Sequence, residues 1–121
     1  MITGVAFASV YTTDFAAAFA FYHDVLGLAK RYDMGEQACF FALGDNSGLY
    51  LQGGCKPAAV NDTTQRCAFT LGVDSAGTWH AKLKKAGARM VQSMPMDMGG
   101  GDYWFQFYDP AGNLLEVLGG E

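Results

Sequence analysis

Apolar positions in this chain form a strand-like run, then a helical stripe, then three more strand-like runs, and the whole cycle occurs twice. In the first cycle, residues 5–11 read as a short strand. Thr12, Thr13 and Asp14 follow, and the Asp14 carboxylate suits the orphan amides of a helix start. Phe15, Phe19, Tyr22 and Leu26 then share one stripe, which stops at Gly27, a residue suited to a left-handed C-cap. Strands are predicted at 30–34, 37–43 and 49–52, the last two joined by a turn at 44–48.

The second cycle repeats the plan. Residues 67–73 read as its first strand, and Asp74 is expected to cap a helix with Trp79, Leu83 and Ala86 on its inner stripe. Gly87 ends that helix, with Lys82, Lys84 and Lys85 favouring its last turn through the helix dipole. Strands are predicted at 89–93, 103–108 and 113–118, the last two joined by Asp109-Pro110-Ala111-Gly112. Residues 56–65 are polar and turn-rich and read as a linker.

Individual residues carry the repeat. A shift of sixty lays Ala8 on Ala68, Asp14 on Asp74, Gly27 on Gly87 and Met34 on Met94. A shift of sixty-four lays Phe41 on Phe105, Asp45 on Asp109, Gly48 on Gly112 and Leu51 on Leu115. The register changes inside 95–101, as expected of a lengthened loop. The organisation expected is one domain, 1–121, built from two repeats at about 1–56 and 64–121. Its fold class is α+β: two outer helices on a strongly curved, mainly antiparallel sheet of about eight strands.

Composition narrows the partners. Half of the 121 residues are hydrophobic and 17% are charged, which argues against disorder. The net charge of −4 and the lack of a basic stripe argue against nucleic acid. Cys39, Cys55 and Cys67 follow no metal-finger spacing, so free thiols in a reducing compartment are expected. Residues 1–4 lack the basic start of a signal peptide and no apolar run approaches ~20 residues, so a cytoplasmic protein with no membrane segment is expected.

Two motifs carry a family resemblance. Asp14 followed by Phe21-Tyr22-His23-Asp24-Val25-Leu26-Gly27-Leu28 resembles the opening signature of the vicinal oxygen chelate superfamily. The run from Phe107 to Val117, containing Tyr108-Asp109-Pro110-Ala111-Gly112-Asn113 and Glu116, resembles its closing one. That superfamily includes glyoxalase I, extradiol dioxygenases, fosfomycin-resistance transferases and bleomycin-binding resistance proteins. The resemblance implies a cupped sheet of paired βαβββ modules and a homodimer. In metal-dependent members, ligands sit on the first and last strands of each module. Those positions here are Phe7 and Gln52, then Cys67 and Glu116, and the offsets of sixty and sixty-four pick out the same pairs.

A Lewis-acid metal needs about three protein ligands and an open position. Phe7 has no donor atom, and a soft Cys67 thiolate suits hard oxygen neighbours poorly. Gln52 and Glu116 keep suitable side chains. No cofactor is therefore expected, with Gln52, Cys67 and Glu116 as residual candidates for a divalent metal. His23 and His80 lie on predicted helices and read as surface or helix-boundary residues.

Without a metal, the sheet concavity becomes a small-molecule pocket. Alternation groups Phe7 with Ser9, Tyr50 with Gln52, Phe69 with Cys67, and Leu114 and Leu118 with Glu116; Trp104 lies on a strand whose face alternation leaves open. Apolar walls with a few polar anchors match ligand sites in general, and equally a closed core. The 94–102 segment, with three alternating methionines beside three glycines, reads as a lid, a subunit contact or a plain surface loop. Cys67 has no histidine base placed beside it and reads as inert.

The leading expectation is metal-free binding of a small, partly aromatic molecule, with Glu116 as the charged contact. The alternative is a metal-dependent lyase, isomerase or dioxygenase using Gln52 and Glu116. A metal-free enzyme with Glu116 as its catalytic base is the third reading.

Overall fold

The computed structural model describes residues 1, 5–56 and 67–121, with Cys67 described by its backbone alone. The expected linker therefore lies, apart from Lys56, outside the described residues, as do positions 2–4. The chain divides into two compact units, Met1–Asn61 and Asp62–Glu121.

In the first unit, β1 (Ala8–Tyr11) leads to α1 (Phe15–Ala20), a π-helical turn (Phe21–Val25), β2 (Lys30–Asp33), β3 (Ala38–Leu43) and β4 (Ser47–Gln52). The sheet order is β1-β4-β3-β2, with β1 parallel to β4 and the other pairs antiparallel. Asp14 caps α1 as expected, its carboxylate accepting from the Ala17 amide at 3.1 Å. The helix then widens by one residue, Leu26 N–H reaching Phe21 O at 3.0 Å, and stops at Gly27 with φ of 72°. That widening turns Phe21 and Tyr22 inward together, so both are buried beside Leu26. The Phe41 ring of β3 takes the other side of this layer, 5.4 Å from Phe19 and 6.2 Å from Tyr22.

The second unit runs β5 (Cys67–Ser75), α2 (Ala76–Lys85), β6 (Arg89–Met90), β7 (Met96–Gly99), β8 (Asp102–Tyr108) and β9 (Leu114–Gly120). Its order is β5-β9-β8, with β5 parallel to β9 and both β6 and β7 antiparallel along the far edge of β8. Phe105, Phe107, Leu115 and Val117 form the buried helix side with Ala76, His80 and Leu83 of α2. The turn between β8 and β9 is built on buried Asp109, whose carboxylate accepts from the amides of Ala111 (3.0 Å) and Asn113 (2.8 Å).

The α+β class holds, and four details of it are corrected. The described strands number nine and form a four-stranded and a five-stranded sheet, where one sheet of about eight was expected. The additional strand is β7, inside the 94–102 segment read as a loop. Positive φ at Gly99, Gly100 and Gly101 reverses the chain tightly enough to lay Met96 opposite Trp104 and Asp97 opposite Tyr103. The cap of α2 is Ser75, accepting from Thr78 N–H at 3.1 Å, because β5 runs through Asp74. The inner stripe of α2 is Ala76, His80 and Leu83; Trp79 is half-buried under the Lys82 ammonium and Ala86 is exposed. No described helix is long and apolar enough to cross a membrane.

Candidate functional site

Each sheet has one face against its helix and one face away from it. In the first unit, Val10, Cys39, Phe41, Leu49 and Leu51 are fully buried toward the helix. Strand alternation sends their neighbours to the other face, where Ser9 stands opposite Tyr50 and Tyr50 opposite Phe40. Phe7, just before β1, joins them: its ring is 5.1 Å from Phe40, edge to face, and 6.4 Å from Tyr50. Phe40 also lies 5.1 Å from Tyr50 and 5.2 Å from Tyr32. Phe7 is 45% exposed and Tyr32 52%, so this aromatic cluster is open to solvent.

Gln52 closes one end of that face. Its carbonyl accepts from the Tyr50 hydroxyl, and its amide donates to Gly53 O at 2.9 Å. The Gln52 side chain is thus oriented by its own strand. Gly53 sits where a Cβ would lie 2.5 Å from Phe15 Cβ, so only glycine lets β4 end against the helix start. Cys39, on the opposite face, has its thiol pushed up from the ordinary range by burial and then by Asp33, against a lowering from Lys30.

In the second unit, Glu116 stands opposite Thr70 of β5 and Gln106 of β8. The Thr70 hydroxyl donates to its Oε1 at 2.9 Å and the Gln106 amide to its Oε2 at 3.0 Å. Trp104 lies opposite Leu118 and Tyr108 opposite Leu114, so both rings share the Glu116 face. The Arg89 guanidinium stacks 4.5 Å over the Tyr108 ring.

Phe69, expected beside Cys67 in the pocket, does not share the Glu116 face; the Cys67 side chain lies outside the described residues. A bulge lies between Cys67 and Phe69: Cys67 stands opposite Leu114, yet Phe69 stands opposite Leu115. The extra residue flips the alternation, so Phe69 turns to the helix side and Thr70 takes the open face. Gln52 and Glu116 also differ in their ladders. Both are flanked by strands on two sides, but Gln52 is the last residue of β4, opposite Tyr11 and Ala38, whereas Glu116 lies in the interior of β9.

The histidines divide. His23 is exposed, stacked 5.3 Å from Phe19 and bonded to Asp24 at 2.8 Å. His80, read as a surface or helix-boundary residue, lies inside α2 and is only 6% exposed; its ring meets Phe105 edge-on at 4.9 Å, and its Nε2 donates to Gln92 O at 2.9 Å.

The positions that hold a metal in metal-dependent relatives, by the resemblance, are Phe7, Gln52, Cys67 and Glu116, of which only Gln52, Cys67 and Glu116 read as residual candidates. Phe7 offers only a ring, packed on Phe40, and Gln52 has both side-chain atoms engaged within its own strand and its end. Among the described residues, no three His, Cys, Asp or Glu side chains gather as a metal cage. The described donors within either unit do not fit a chelate.

Phe40, Tyr32, Thr70, Gln106 and Tyr108 belong to these faces and escaped the sequence reading. Gln106 left a signal, a lone amide between Phe105 and Phe107 in an apolar strand. Thr70 could be found only through the bulge.

Comparison with known proteins assigns the family. Residues 4–117 match the Glyoxalase/Bleomycin resistance protein/Dioxygenase superfamily. The chain belongs to that superfamily. Solved members resemble it over nearly their full length. The lactoylglutathione lyase of Agrobacterium tumefaciens is 24% identical with a TM-score of 0.73, covering 98% of this chain and 95% of that one. The fosfomycin resistance protein FosX of Listeria monocytogenes is 18% identical with a TM-score of 0.79, covering 100% and 96%. The protein SMU.1112c is 18% identical with a TM-score of 0.81, covering 98% and 99%. At these identities the likeness is one of fold, and the superfamily scaffold hosts unrelated chemistries. No curated protein matches the sequence.

Proposed function

We propose that this superfamily member binds a small, partly aromatic molecule on its helix-free sheet faces without a metal. The observation that carries this is the open cluster of Phe7, Phe40 and Tyr50, left part-exposed while the opposite face of the same sheet is sealed. Exposed rings in edge-to-face contact offer stacking surface with little side-chain entropy left to lose. Ser9 and Gln52 supply polar anchors beside them. In the second unit, part-exposed Trp104 and Glu116 repeat the combination of apolar wall and polar anchor, with Leu114, expected in the pocket, buried behind them at 4% exposure. Leu118 contributes a further exposed apolar side chain there.

The test is a thermal-shift screen of aromatic small molecules, run with and without EDTA. A stabilising compound unaffected by chelation, and weakened by Phe7→Ala, is the expected result. Binding that is lost with EDTA and restored by added metal overturns the reading. The same proposal has the protein act as a cytoplasmic homodimer, which sedimentation of the full chain checks.

A further inference from the structure

The carboxylate of Glu116 accepts from a hydrogen-bonded chain whose direction is set by a main-chain amide. The Gln106 N–H can only donate, so the Gln92 atom 2.6 Å from it is the carbonyl Oε1. The Gln92 Nε2 therefore faces the Gln106 side chain, 3.0 Å away, and must meet an acceptor, the Gln106 Oε1. Only the Gln106 Nε2 then remains for Glu116, whose Oε2 accepts it at 3.0 Å. Gln106 is 3% exposed, so neither of its side-chain ends can exchange its partner freely for bulk water. The Gln92 backbone is held at the far end, where His80 Nε2 donates to the main-chain carbonyl of Gln92 at 2.9 Å.

We propose that Gln92 and Gln106 are positioning residues that hold the Glu116 carboxylate as a hydrogen-bond acceptor on the open face, so that the ligand group engaging it is an N–H or O–H donor. The ligand half of this statement rests on the binding reading above; the positioning half does not. Amide direction matters because reversing Gln106 would aim a carbonyl at a carboxylate, and a buried mismatch of that kind is costly.

Substitution can reverse the direction on purpose. Gln92→Glu keeps an acceptor for the Gln106 N–H but sets a second oxygen against Gln106 Oε1, so Gln106 must turn and point its carbonyl at Glu116. Adding Glu116→Gln supplies a donor for the turned carbonyl. The expected result is a melting temperature lowered by about 4 °C or more in Gln92→Glu, with at least half of it recovered in Gln92→Glu/Glu116→Gln. In the wild type, the Gln106 side-chain N–H signals should follow the Glu116 carboxyl carbon through its titration in NMR. Losses that simply add in the double variant, or Gln106 signals blind to that titration, overturn the positioning.

Benzamidine, phenol and benzoate probe the ligand class by the shift of the Glu116 carboxyl carbon at a pH where the probe amidinium is charged. Benzamidine and phenol should move it and benzoate should not. An equal response to benzoate overturns the donor assignment. Rescue in the double variant with no response to any probe supports the positioning and counts against the binding reading.

Discussion

Glu116 and Thr70 stand directly opposite each other on parallel strands, and the Thr70 hydroxyl donates to the Glu116 carboxylate at 2.9 Å. The contact exists because a bulge two residues earlier brings Thr70 to the open face. Replacing Thr70 by valine keeps the branched shape and removes the donor. The expected loss is about 1 kcal/mol, read in urea unfolding, and it should shrink when Glu116→Ala is already present. Equal losses in both backgrounds would mean that the hydroxyl acts elsewhere.

The Cys39 thiol is raised by burial and by Asp33. A group whose value is raised by folding stabilises the protein fully below the ordinary thiol range. That contribution is lost as pH rises through the folded value, because the unfolded chain ionises first. Stability of the wild type should therefore fall with pH in the alkaline range more steeply than that of Cys39→Ala. Alkylation by iodoacetamide should reach Cys55, which is half-buried, before Cys39.

Two glycines of neighbouring strands give opposite expectations. A Cβ on Gly119 would lie 2.8 Å from Val73 Cγ2 and closer still to the Val73 carbonyl, whereas one on Gly72 meets nothing within 4 Å. Gly119→Ala should cost about 1–3 kcal/mol through overpacking between β5 and β9. Gly72→Ala should be close to neutral. Thermal denaturation of the two variants side by side decides it.

Ser75 caps α2, so Ser75→Ala should remove about 1 kcal/mol. Its hydroxyl also donates to Glu121 O at 2.6 Å, tying the last residue to the helix start. Ser75→Asp, which keeps the acceptor for Thr78 N–H, should recover part of the loss in chemical denaturation. No recovery would assign the effect to the Glu121 contact.

Legibility in the sequence followed the range of each interaction. The Asp14 cap, the ends at Gly27 and Gly87 and the turn on Asp109 were all readable, since each is settled by residues within about one turn of each other. The cap of α2 was misplaced by one residue because β5 continues through Asp74, held there by pairing with β9 across the chain. His80 looked like a surface or helix-boundary residue because polar side chains usually face out. It is buried because the Gln92 carbonyl, brought up on the connection after β6, gives its N–H a partner.

The order and kind of the elements apart from β7, and the family, were thus written in local patterning, where apolar spacing and turn chemistry act on near neighbours. Which side chains of β5 share the Glu116 face was settled only on folding. One inserted residue beside Cys67 turned Phe69 away and brought Thr70 to Glu116, and a glycine reversal made β7 out of a loop. Both outcomes depend on which strand lies alongside, and backbone pairing between distant segments leaves no mark in the spacing of either one.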